Sequence, residues 1–112
     1  MQKKREFYLY EDRFMNWYQQ LDKKVQEKID WVFELVKTVP VIPQKYFRYI
    51  ENTEGLYEIR VEYESNIYRI FCFFDNGNLI ILVNGFQKKT QKTPIHEIRL
   101  ALKLKKQYFS NK

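Results

Sequence analysis

At 112 residues, with 45% hydrophobic content and only three glycines and three prolines, the chain has the composition of one folded domain and not of a disordered segment. Its single cysteine, Cys72, excludes an internal disulfide and any cysteine-based metal set. The net charge of +6 is unevenly spread: residues 1–85 hold 12 Lys/Arg against 13 Asp/Glu, whereas residues 86–112 hold 8 against Glu97 alone.

A basic segment of that kind serves nucleic acid, an acidic protein or an anionic membrane, or is simply a solvated helix face. Aromatic residues make up 18% of the chain, which fits an aromatic core and also a surface for unpaired bases. The opening residues MQKKREF carry no signal-peptide pattern, and no apolar run approaches the roughly 18 residues of a membrane span. A cytoplasmic protein without a membrane partner is therefore expected.

In chain order, REFYLY (residues 5–10) reads as a short strand. Phe14, Trp17, Tyr18 and Leu21 then fall at helical spacing, and Val25, Ile29, Val32, Phe33 and Val36 repeat that spacing on a longer second helix. Asp22 between them is the expected N-cap, so the two form an antiparallel hairpin that TVPVIP closes. A strand is optional after Pro43. LYEIRVEY, NIYRIFCFF and LIILVN follow as strands, the first two joined by a turn at Ser65-Asn66 and the last two by a two-residue Asn76-Gly77 turn. Thr93 as N-cap and Pro94 as first helical residue open a final helix whose apolar stripe is Ile95, Ile98, Leu102 and Phe109, widened by Ala101 and Leu104. The expected fold class is α+β: a small, mainly antiparallel sheet with an N-terminal helical hairpin and a C-terminal helix, in one domain.

Those turns set a register. Glu62 faces Arg69, Arg60 faces Phe71, and Arg69 faces Asn84. One sheet face, from Tyr57 through Val61, Tyr68 and Cys72 to Leu79, Ile81 and Val83, carries no charge. The opposite face is apolar at Phe71, Phe73, Ile80 and Leu82, then charged at Arg60, Glu62 and Arg69. A charge inside an apolar strand is costly unless it is paired or performs chemistry, so Arg69 is the informative residue. Its two readings are a phosphate-binding group and one half of a Glu62–Arg69 cross-strand pair. The segment GFQKKTQKTP (residues 85–94) then brings Lys88, Lys89 and Lys92 beside it.

The stretches GLYEIRVEYESNIYRIFCFF and ILVNGFQKKTQKTPIHEI, with the hairpin before them, resemble the RelE/ParE superfamily of type II toxins, and most of all its HigB-like, phage-related branch. The resemblance implies a RelE-like fold and an endoribonuclease that cuts mRNA on the translating ribosome and is silenced by a cognate antitoxin, expected to be a helix-turn-helix protein. It matches Arg60, Arg69, Lys88 and Lys89 to the catalytic basic positions. Glu58 stands where some relatives carry a further basic residue, and no C-terminal aromatic or histidine matches the catalytic residue of others.

The implied reaction is a transesterification by the ribose 2′-OH, which calls for positive charge and proton transfer and for neither metal nor cofactor. Arg60 and Arg69 suit phosphate clamping, and a lysine crowded by cations suits proton transfer. Lys92, Phe86 and Asn84 are the candidate RNA contacts, with a core anchor as the other reading of Phe86. Glu62 and His96 are candidate general bases, and Glu58 is either a base or an arginine partner. A ParE-like gyrase inhibitor, which does not need the basic cleft, and a non-catalytic RNA- or protein-binding module are the alternatives.

Overall fold

The computed structural model describes residues 4–88 and 94–112. Its elements run β1 (Glu6–Leu9), α1 (Arg13–Tyr18), α2 (Lys23–Thr38), β2 (Phe47–Tyr49), β3 (Tyr57–Tyr63), β4 (Asn66–Asp75), β5 (Leu79–Lys88) and α3 (Ile95–Ser110). The strands form one sheet in the order β1-β5-β4-β3-β2, antiparallel except for the parallel β1–β5 pair. This is the α+β architecture expected, with the optional strand present as β2. Among the described residues no helix is long and apolar enough to cross a membrane.

The two helices of the hairpin cover one face of the sheet. Val25, Ile29, Val32 and Val36 of α2 and Phe14 of α1 are buried against Ile59, Val61, Ile70, Cys72, Ile80 and Leu82. Their spacing along α2 is the reason that helix lies flat on the strands. α1 is shorter than expected and ends at Tyr18, so Leu21 reaches the same core from the connection. Asp22 occupies the cap position of α2 but makes no side-chain cap bond; its carbonyl accepts the amide of Gln26. The far end of α2 is closed by Arg5, whose guanidinium donates to the carbonyls of Val36, Val39 and Pro40 at 2.8, 2.8 and 2.9 Å. The first two are carbonyls a helix end leaves without partners and Pro40 follows the cap, so one side chain ends α2 and ties it to the start of β1.

α3 covers half of the other face. Ala101 and Leu104 are buried on Leu56, Phe71, Phe73, Ile81, Val83 and Phe86. Its roll differs from the expected stripe: Ile95 is 63% exposed and Phe109 41%, while Tyr108 turns inward. The Tyr108 hydroxyl donates to Asp75 at 2.7 Å, and Lys112 reaches the same carboxylate at 2.8 Å, which fixes that roll. Pro94 stands in the cap position, so α3 starts one residue later than expected, and Thr93 lies outside the described residues.

Both turns differ from expectation. The β3–β4 turn is Glu64-Ser65, both left-handed (φ 48° and 67°), with Tyr63 facing Asn66. The pairing therefore slips by two residues and the faces are kept: Arg60 faces Arg69, Glu58 faces Phe71, and Glu62 faces Ile67. The β4–β5 turn has three residues, because Asp75 pairs with Leu79 beyond the left-handed Asn76 and Gly77. That odd residue exchanges the faces of the first half of β5, so Ile80 and Leu82 meet the hairpin while Ile81 and Val83 meet α3. An irregularity at Val83 then restores the alternation, since Cys72 pairs with Leu82 but Phe71 pairs with Asn84.

Gly85 faces the hairpin opposite Ile70, under the ring of Trp17. A Cβ there would sit 2.4 Å from Trp17 ring carbons. Gly85→Ala is expected to lower the unfolding free energy by about 1–3 kcal/mol, read by urea denaturation, through overpacking. Combining it with Trp17→Leu should recover part of the loss; an additive double variant would show that the ring is not the cause.

Candidate nucleic-acid interface at the open end of the sheet

α3 leaves the end of its sheet face uncovered, and the alternation of β2 to β5 places the charged residues there. Arg60 and Arg69 are direct cross-strand partners, Arg48 faces Glu58 from β2, and Phe86 faces Arg69 from β5. Lys88 faces Ile67, which puts it on the same face and diagonal to Arg69.

Arg69 is the centre of the group, with 5% of its surface exposed. One of its Nη atoms donates to the Glu58 carboxylate, itself buried. Its Nε has no hydrogen-bond partner among the described residues. Burial lowers the pKa of Arg69, Glu58 opposes that shift, and the cations Arg60 and Arg48 reinforce it. The guanidinium still stays charged, because its ordinary value lies so far above neutrality. Glu58 is thus the arginine partner, and the expected Glu62–Arg69 pair is not formed. Glu62 is exposed and lies 3.7 Å from Arg60, a surface ion pair of little energetic weight.

Lys88 is partly buried at the end of β5. Burial pushes its pKa down, Arg69 pushes it further, Glu58 pulls it back up, and Arg60 and Arg48 add smaller downward contributions. It is the lysine of the cluster whose neutral form is made accessible.

The remaining sequence candidates divide sharply. Phe86 is buried edge-to-face against Phe71 at 5.2 Å, so it anchors the core and offers no free face to a base. Asn84 is also buried: its Nδ2 donates to Glu97 Oε1 at 3.1 Å and ties β5 to the first turn of α3. That bond, rather than contact with RNA, is its role in the fold. The His96 side chain is 80% exposed and lies 3.5 Å from Glu97, with no contact to the arginine cluster. Lys89 and Lys92 lie outside the described residues. Cys72 is fully buried, and burial raises its thiol pKa, which makes it a core residue and no nucleophile.

Arg48 is the residue the sequence reading missed. It sits on a three-residue edge strand whose register no turn residue announces. With it, the end of the sheet presents Arg48, Arg60, Arg69 and Lys88 around one buried carboxylate. Such an arrangement can hold a phosphate diester and stabilise extra negative charge on it.

The family model for "Phage derived protein Gp49-like (DUF891)" matches residues 16–106, from within α1 to within α3. The chain belongs to this family, which is part of the RelE/toxin-like superfamily and consists of toxin-like proteins of toxin–antitoxin pairs. No curated protein matches the chain.

Neutralising Glu58 while leaving Arg69 charged is expected to destabilise the fold strongly. Glu58→Gln should cost about 3–5 kcal/mol in urea unfolding, and Glu58→Leu combined with Arg69→Met should regain most of it. Equal destabilisation by the single and double variants would show that the pair is not what makes Glu58 necessary.

Proposed function

We propose that this Gp49-like protein is the toxin of a type II toxin–antitoxin system, of the HigB-like kind, and acts as an endoribonuclease on mRNA bound to the ribosome. The observation that carries the reading is the convergence of Arg48, Arg60, Arg69 and Lys88 on the uncovered end of the sheet. An inhibitor acting by protein contact alone has no need of a buried arginine, its Nε without a partner among the described residues, beside three further cations.

In the proposed reaction the ribose 2′-oxygen attacks the adjacent phosphorus in line. The P–O5′ bond breaks, leaving a 2′,3′-cyclic phosphate on one fragment and a 5′-hydroxyl on the other. Arg60 and Arg69 hold the non-bridging oxygens, and their charge offsets the negative charge that grows on the phosphorane-like transition state. Arg48 lies at the rim and guides the strand toward them. Lys88, in its neutral form, takes the 2′-OH proton. The 5′-oxygen takes up a proton as it leaves, and Lys89, the next residue in the chain, is our candidate donor. The partner that silences the protein in the cell is a cognate antitoxin.

The sign of the pH dependence follows from the depressed pKa of Lys88. A base must be deprotonated, so the rate should rise with pH through that depressed value and level off below the ordinary lysine range. Lys88→Arg, which stays protonated, should lose that rising limb and about 10²–10⁴ in rate. Arg60→Ala, at a partly exposed position, should remain folded and lose about 10²–10³. The assay is translation with purified ribosomes, mapping 5′ ends and detecting the cyclic phosphate. Growth arrest with intact messages would instead indicate a ParE-like gyrase inhibitor, and neither arrest nor cleavage a binding module.

A further inference from the structure

The phosphate cluster does not use a second aromatic and basic surface that adjoins it. Trp31, on the outer side of α2, is 52% exposed, and the core packing described above does not depend on it. The Lys28 ammonium stands 4.5 Å from the centre of its ring. Tyr46 meets the same ring edge-on at 5.9 Å, and Lys45 lies 5.6 Å from the centre of the Tyr46 ring. The carbonyl of Tyr46 accepts the backbone amide of Arg60 at 2.9 Å, so the aromatic pair is tied to the arginine that the proposed reaction needs. Lys28, Lys45, Tyr46, Arg60, Glu62 and Glu64 line one open groove of about 270 Å³ that runs from Arg60 toward α2.

We propose that Trp31 and Tyr46 form a stacking platform for a base of single-stranded RNA that flanks the phosphate held at Arg60. The inference rests on the nuclease reading for its ligand and adds where the neighbouring nucleotide goes. Three cations and two carboxylates nearly balance in the groove, so phosphate neutralisation contributes little there, and the affinity rests on the Tyr46 ring that lines it and on Trp31, which borders it through Tyr46 and Lys28. Stacking on an exposed indole suits any unpaired base. A protein helix would want a contiguous apolar patch, whereas this ring is bordered by Lys28 and by Tyr46 with its own lysine.

The probe is a fluorescent 2′-O-methyl hexaribonucleotide, which lacks the attacking hydroxyl, titrated by anisotropy against the full chain at several salt concentrations. Trp31→Ala should weaken binding about ten-fold or more with an unchanged salt slope, as loss of a stacked base requires. Arg60→Ala should reduce the slope by about 0.7, as loss of one phosphate contact to a single strand requires. Wild-type tryptophan fluorescence should be quenched by the oligonucleotide. Trp31→Phe should keep most of the affinity and lose the quenching, since Trp17 is then the only tryptophan.

Unchanged affinity in Trp31→Ala, quenching that survives in Trp31→Phe, or no binding to the wild-type chain would each overturn the platform. Ribosomal cleavage that persists alongside any of these results leaves the nuclease reading standing. Normal cleavage by both Arg60→Ala and Lys88→Arg would instead sink the reaction we assign, while the titrations would still decide the platform.

Discussion

The buried pair of Glu58 and Arg69 is the constraint on which the rest of the arrangement turns. Isolated in the interior, either charge would face a desolvation penalty larger than most single contributions to stability. Together they offset one another, and they do so diagonally across β3 and β4. Moving the two strands by two residues, to the register a Ser65-Asn66 turn would give, would keep every apolar side chain on its face and exchange Glu58 for Glu62 beside Arg69. Hydrophobic patterning therefore chooses the face, and the Glu64-Ser65 turn together with the Glu58–Arg69 contact fixes which of the registers that patterning leaves equal is formed. A pair of this type adds little net stability over an apolar replacement, so its presence is better explained by what it holds: a permanent cation, nearly dry, at a fixed point of the sheet.

The same economy explains how β5 serves both cores. A regular strand cannot supply Ile80 and Leu82 to the hairpin and then Asn84, Phe86 and Lys88 to the Arg69 face after a three-residue turn. The irregularity at Val83 resolves the conflict by inserting one residue on the α3 side. Beyond it, Asn84 holds the first turn of α3, Phe86 seals the apolar floor, and Lys88 emerges beside the arginines. The kink is what lets one strand act as core, hinge for α3 and site wall in succession.

Much of this was legible in the sequence, and the gaps have definite causes. The helical hairpin, the order of elements along the chain and the meeting of Arg60, Arg69 and Lys88 followed from periodicity and from the polarity switch within β4, whereas the parallel β1–β5 pair had no signal. The turns were harder. Asn-Gly strongly suggests a two-residue hairpin, yet here Asn78 is drawn into the loop, and the resulting face exchange is cancelled by a bulge that no residue type marks. Asn84 landed on the expected face through two errors of opposite sign. Glu58 was left undecided between base and partner because the answer depended on a two-residue slip. Arg48 escaped notice because a three-residue edge strand has too little pattern to register. Phe86 and Asn84 looked like ligand contacts because sequence places them next to lysines; burial makes them supports.

The position of the site follows from which surfaces the helices leave open. The hairpin covers one face of the sheet wherever it is apolar. α3 can cover only as much of the other face as is apolar, from Phe73 and Ile81 to Phe71 and Phe86, because its buried residues are Ala101 and Leu104 and nothing on it pairs with an arginine. The boundary of that coverage is Asn84–Glu97, the first polar contact along the face. Past it the face carries Arg60, Arg69 and Lys88 beside Phe86, Ile67 and Glu62, and its buried acid, Glu58, is committed to Arg69. The cationic cluster is thus left uncovered by α3, because no apolar helix could stably cover Arg60 and Lys88 at its surface. The chain's excess positive charge, carried by the segment that follows β5 and by α3, begins at that edge. An anionic ligand approaching from solvent meets Arg48, Arg60 and Lys88 with exposed Glu62 at their margin, and the buried carboxylate of Glu58 is already neutralised by Arg69.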